Sequence, residues 1–205
     1  MRTQHALIVI VLCAMLGGCA LLPTGKKARG NRTFLIAPVL TITAQTAPSC
    51  GSIQVASGQA ATGFRTAKMA YMRGPYELNY FAFSRWADAP SRMLADQTRR
   101  VLRNGGGFEG VLESPVAART DFHLELADVK VVQIFDGESS MLDVAFEARF
   151  FNADRRALIA VQRFQASEPA GEDPQTGVEA TNRAAAELLS QVAAFALKHC
   201  EAHAN

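Results

Sequence analysis

Hydrophobic and polar positions alternate most cleanly over residues 141–151. Leu142, Val144, Phe146, Ala148 and Phe150 fall on one face of an extended chain, and Asp143, Glu147 and Arg149 on the other. Successive strand side chains point to opposite faces, so this period of two predicts a half-buried β-strand. Residues 121–135 carry the same period, with Phe122, Leu124 and Leu126 directed inward. Their phase changes near Asp128, as an inserted residue in a β-bulge would make it do. Asp136-Gly137 predicts a tight turn between the two strands. A second turn at residues 152–155 leads to a third antiparallel strand over 157–165.

The rest of the chain reads less regularly. Residues 33–43 are apolar and β-prone but contain Pro38, which confines them to an edge strand; 44–51 is a connector, and 52–56 alternates as a strand. Two aromatic-rich runs, 68–73 and 77–83, flank Gly74-Pro75 and predict a hairpin. A helix is expected from Asp88 as its cap, with Pro90 in the first turn and a body over 91–103. Met93, Leu94, Val101 and Leu102 form its apolar stripe, with Arg92, Asp96, Arg99, Arg100 and Arg103 mostly off it. Asn104-Gly105-Gly106-Gly107 ends that helix, because glycine takes the left-handed cap without strain, and a short strand follows over 108–112. Residues 168–177 read as an acidic loop rich in Pro and Gly. The last helix, about 178–199, carries Val178, Ala185, Leu188, Leu189, Val192, Phe195 and Ala196 at three- and four-residue spacing, a stripe fit to cover a sheet. The sum is an α+β single domain: a mixed or mostly antiparallel sheet with two main helices on one face, the other face being wet or an interface.

The N-terminus is of another kind. After one fixed charge at Arg2, residues 6–16 are an unbroken apolar run, the length of a signal-peptide core and too short to span a bilayer. The run ends in Leu16-Gly17-Gly18-Cys19, the pattern of a lipoprotein precursor cut before a cysteine whose thiol takes up a diacylglyceryl group. A plain secretory signal that contains a cysteine is the other reading. Two or more acyl chains on Cys19 would give stable anchoring, since each buried methylene contributes about 0.8 kcal/mol. Ala20, where an Asp would favour inner-membrane retention, directs the expectation to the periplasmic face of the outer membrane. The chain thus divides into a signal peptide (1–18), a lipidated and flexible tether (19–32) and the folded part (33–205).

Composition adds three constraints. About 170 residues follow the tether, enough for one ordinary core. The 205-residue precursor carries a formal charge of only +2, and without a long basic face it does not suit nucleic acid. Of four cysteines, Cys13 leaves with the signal and Cys19 is acylated. Cys50 and Cys200 remain, and two thiols in an oxidising compartment are expected to pair. A two-thiol metal site is the alternative, with His199 and His203 the only neighbours at ligand spacing.

Catalytic signatures are missing. There is no Gly-x-Ser-x-Gly elbow and no His-Glu-x-x-His pair, and Gly105-Gly106-Gly107 lacks the Lys and Ser/Thr of a phosphate loop. Asp121 could orient His123 from the same strand face, but no nucleophile or metal partner accompanies them. No catalytic residue, metal or cofactor is therefore expected. The distinctive segment is 69–86, which holds all three tyrosines and the only tryptophan. Tyr71, Tyr76, Tyr80, Arg85 and Trp86 are its candidates for contact with a partner or lipid, Tyr76, Leu78 and Tyr80 sharing a strand face. The plainer reading is a core hairpin with Trp86 as packing anchor, its indole N–H needing an acceptor.

The order of blocks in and around that segment resembles the ABC-type transport auxiliary lipoproteins, a PqiC-like family. The blocks are Ser52-Ile53-Gln54-Val55, Phe64-Arg65-Thr66, Met69-Ala70-Tyr71, Tyr76-Glu77-Leu78-Asn79-Tyr80-Phe81 and Arg85-Trp86-Ala87-Asp88. Phe108-x-x-Val111, Phe164-x-Ala166-x-Glu168 and Ala180-x-Asn182 continue it, so the likeness spans roughly 33–200; the family's early Tyr-x-Leu appears only loosely, as Phe34-Leu35-Ile36. The resemblance implies a non-enzymatic accessory to an ABC permease and ATPase and an MCE-type substrate-binding protein. Such systems move phospholipid or other lipophilic molecules between the inner and outer membranes. A homo-oligomer is compatible with that role. A regulatory lipoprotein that activates a peptidoglycan synthase or supports outer-membrane assembly is the other class considered, but a tether of about 13 residues is short for reaching through the cell wall.

Overall fold

The computed structural model describes residues 30–41, 44, 47–115 and 118–203. The expected signal peptide, Cys19 and most of the tether lie outside the described residues. In chain order the elements are β1 (Arg32–Phe34), β2 (Cys50–Ser57), β3 (Lys68–Met72), β4 (Leu78–Trp86), α1 (Pro90–Gly105), β5 (Phe108–Glu113), β6 (Phe122–Asp136), β7 (Ser139–Asn152), β8 (Ala157–Ala170) and α2 (Pro174–Glu201). They make an α+β domain with one mixed, curled sheet.

Strand β6 organises that sheet. Along one edge it pairs antiparallel with β7 over nearly its whole length, and β7 pairs antiparallel with β8. Its other edge is shared between two parallel partners. Residues 122–126 pair with β2, and residues 132–134 pair with β3. Beyond β2 lies β5, parallel; beyond β3 lies β4, antiparallel; and β1 adds to the outer edge of β4 in parallel, over Ser84 to Trp86 only.

The sheet divides where β6 bulges. Asp128 takes a positive φ of 54°, and the β6–β7 register shifts between Ala127 and Lys130. One extra residue exchanges odd for even positions. Phe122, Leu124 and Leu126 before it and Val129 and Val131 after it therefore all reach one hydrophobic core. The phase change read in the sequence is this bulge.

Both helices pack on the same face of the sheet and against each other, α1 over β2, β5 and β6, and α2 over β6, β7 and β8. Leu94, Leu124, Leu126, Phe146, Phe150, Leu188 and Leu189 are wholly buried between the layers, each contributing roughly 1.5–3 kcal/mol. Helix α1 stops as its glycines require, with Gly106 left-handed at φ 66°. The Sγ atoms of Cys50 and Cys200 are bonded at 2.07 Å, joining the start of β2 to the last turn of α2.

Several boundaries differ from the sequence reading. Only Arg32–Phe34 of the expected edge strand pairs. Past Pro38 the chain has no ladder, and just before it the Ala37 N–H donates to the Asn182 side chain at 2.7 Å. Asp88 is not a helix cap: Ala89 holds that position without a side-chain bond, and Asp88 accepts from the Ala89 N–H and from Arg92. Arg99 does not lie off the core face. It is buried and reaches Val55 O, Asp96 and Glu113. Finally, most of the expected loop 168–177 is absorbed by its neighbours, because β8 runs on to Ala170 and α2 starts at Pro174.

Candidate functional site

Hairpin β3–β4 divides the aromatic segment into three environments. Trp86 closes β4 inside the core at 1 % exposure; its backbone N–H donates to Ala67 O, while its indole N–H meets no acceptor among the described residues. It is a packing anchor, as its shape favours, but the acceptor expected for it is missing. Tyr71 is half-buried at the other end, its ring 4.7 Å from Phe81 and 5.8 Å from Phe135. The Arg73 guanidinium covers Phe135 at 4.5 Å and lies 5.9 Å from Tyr71. Offset and edge contacts of this kind hold aromatic clusters together, and a cation over a ring face adds to them.

The third environment is an exposed rim. Tyr76 sits in the β3–β4 turn, 98 % exposed, so it does not join Leu78 and Tyr80 on a strand face. Leu78 and Tyr80 do share one, both facing Gly63. The Tyr80 hydroxyl donates to Gly63 O at 2.7 Å, and Lys68 Nζ stands 5.2 Å above its ring. Arg85 is exposed, its Nε donating to Trp86 O at 3.4 Å. Phe83, which the sequence reading did not single out, is 52 % exposed on the same strand; its two-residue spacing from Phe81 was the available signal. Between Lys68 and Ala70 the β3–β4 register slips. The strands part there, opening a concavity of about 690 Å³ lined by Asn31, Lys68, Tyr80, Phe83 and Arg85 among others.

Elsewhere the described charged groups meet as ion pairs, Arg99 with Asp96 and Glu113, and Arg149 with Glu125 and Glu147. Asp121 does not orient His123. Its carboxylate accepts from the Ser52 N–H and hydroxyl at 2.7 and 2.8 Å, and those bonds hold it below the usual carboxylate range. His123 packs near Phe151, and burial lowers its pKa. His199 lies edge-on to Phe195 at 4.7 Å, and burial, then Lys198 and His203, lower its pKa. Among the described residues no three His, Cys, Asp or Glu side chains are grouped to hold a metal ion. Nor is any described helix long and apolar enough to cross a membrane. A second concavity, about 470 Å³, lies between α1 and α2 and is lined by Val39, Leu102, Phe108, Ala193 and Leu197 among others.

The fold is a small α+β module with aromatic and basic side chains exposed along hairpin β3–β4. Residues 34–193 match the model of the ABC-type transport auxiliary lipoprotein component family, and the chain belongs to that family. No curated protein matches the sequence. Among solved structures, protein XCC0632 from Xanthomonas campestris is similar, at 19% identity and a TM-score of 0.73, over 83% of this chain and 98% of that one. A neuraminyllactose-binding hemagglutinin homolog from Helicobacter pylori follows at 10% identity and 0.52, over 83% and 98%. At these identities the likeness is one of fold.

Asn182, in the Ala180-x-Asn182 block inside α2, accepts from the Ala37 N–H and donates to Val178 O at 3.0 Å. It clamps the segment after β1 onto the helix, and so fixes where the chain enters the domain.

Proposed function

We propose that this chain is a lipid-anchored accessory of an ABC/MCE-type transporter that moves phospholipid or other lipophilic compounds between the inner and outer membranes. It works by touching protein and lipid rather than by catalysis. Acyl chains on Cys19 hold it to the periplasmic face of the outer membrane, its partners being an MCE-type substrate-binding protein and the ABC permease and ATPase. The observation that carries this reading is the family match over residues 34–193. In support, the described residues put aromatics and cations on an exposed rim.

The test is genetic and biochemical. Deleting the gene is expected to sensitise cells to detergents and organic solvents, and tagged protein is expected to co-purify with an MCE protein. Mass spectrometry should find residue 19 acylated, and membrane fractionation should place the chain with the outer membrane. An intact envelope barrier together with no MCE partner would overturn the transport role. An unmodified Cys19 would overturn the anchor.

A further inference from the structure

The chain enters the domain beside the rim. Arg32–Phe34 pairs with Ser84, Arg85 and Trp86, and Asn31 lines the rim concavity itself. An anchor at Cys19 is only about 13 residues upstream, at most roughly 45 Å of extended chain. A tether of that length lets the rim reach the bilayer that holds an acylated Cys19.

Its chemistry suits that neighbour. Tyr76 and Phe83 are exposed, and Tyr80 partly so; amphipathic aromatic rings sit well at the level of lipid headgroups. Lys68 and Arg85 line the concavity beside Tyr80 and Phe83, and neither is ion-paired among the described residues. Of the acidic residues flanking this stretch in sequence, Glu77 accepts from the Asn79 side chain and keeps its charge, and Asp88 is paired with Arg92. A basic and aromatic concavity with no acidic residue in its lining matches an anionic surface, where each Lys or Arg contributes about 1 kcal/mol.

We propose that this rim, made by Lys68, Tyr76, Tyr80, Phe83 and Arg85, docks flat onto an anionic phospholipid bilayer and sets the orientation of the domain on its membrane. The proposal rests on the lipoprotein reading above and adds a binding surface to it. Docking would turn a loosely held domain into one with a fixed outward face, the opposite end of the sheet being left for protein contact.

The test removes the acyl anchor so that the domain itself is measured. The chain from residue 19 onward, bearing Cys19→Ser, leaves the folded residues untouched and keeps Lys26, Lys27 and Arg29 in every sample. It is expected to float with vesicles of phosphatidylethanolamine and phosphatidylglycerol and not with phosphatidylcholine alone. Lys68→Glu with Arg85→Glu should lower that binding roughly tenfold or more, and Tyr76→Ser with Phe83→Ser should also lower it. These side chains are exposed, and unchanged circular dichroism would confirm that the variants fold. Failure to float, or variants that float like the parent, would overturn the proposal. So would variants that keep vesicle binding but lose capture of an MCE protein, since the rim would then be a protein interface. Loss of vesicle binding with normal MCE capture supports docking, and the barrier phenotype tests the transport role separately.

Discussion

At the scale of single residues, two ionisable groups give the fold distinct pH limits. Asp121 accepts both bonds from Ser52, and those bonds lower its pKa. A carboxylate with a depressed folded pKa stabilises the protein fully above its unfolded value, near pH 4, and loses that contribution as pH falls through the lower folded value. His123 is lowered by burial instead. It favours the fold fully above about pH 6.5 and loses this as pH falls towards its folded value. Urea melts across pH should therefore show Asp121→Asn removing a step below pH ~4, and His123→Gln one that begins near pH ~6.5. Interchanged steps would show that the bonding assigned here is wrong. Gly177 offers a second check. A Cβ there would clash with Gln133 Oε1, and Gln133 is buried with its amide N–H groups held by Ser140 Oγ and Gly171 O. Alanine gains about 1 kcal/mol of helix propensity, while overpacking costs about 1–3. A net loss near 1 kcal/mol is expected for Gly177→Ala, and that loss should vanish in a Gln133→Ala background.

At the scale of elements, the two helices begin differently, and their caps should differ in measured worth. Asp173 accepts from the N–H groups of Gln175 and Thr176 at 2.7 and 3.1 Å, satisfying two donors that the helix leaves free. Asp173→Ala should cost about 1 kcal/mol, within a range of roughly 0.5–2. Asp88 makes only a surface pair with Arg92 besides its bond to the next N–H, so Asp88→Ala should cost roughly half a kcal/mol or less. Equal costs in chemical denaturation would contradict these assignments. The same contrast shows what the sequence reveals about elements. Strands β6 and β7 and the bulge at Asp128 were legible because one buried face enforces a period of two. The start of α2 was not, although Asp173-Pro174 carries a cap and a first-turn proline, because Pro and Gly nearby resemble a loop. The contact segment was legible in composition but not in exposure. Only tertiary packing decides that Trp86 is buried, Tyr71 is clustered and Tyr76 stands in solvent, and Phe83 escaped because its two-residue spacing from Phe81 does not say which ring is covered.

At the scale of the whole molecule, one covalent link spans almost the entire fold. Cys50 and Cys200 are 150 residues apart in sequence and fasten β2 to the end of α2. Between them lie β3 to β8, both helices and the whole rim, so the link closes a loop round the domain rather than bracing one corner. Constraining so long a loop removes much of the disorder of the unfolded chain, which sets an upper figure of about 5 kcal/mol. Both cysteines are buried in the core, and either replacement removes the same link, so the loss should follow the link. Cys50→Ser and Cys200→Ser should therefore be alike, each unfolding at markedly lower urea than the parent under oxidising conditions. With strong reductant present, the parent should fall to meet them. A parent that keeps its midpoint in reductant would mean that the link adds little. Two serine variants with different midpoints would mean that one thiol serves the fold in another way, and the domain would then owe its closure to the packing of α2 on β6, β7 and β8.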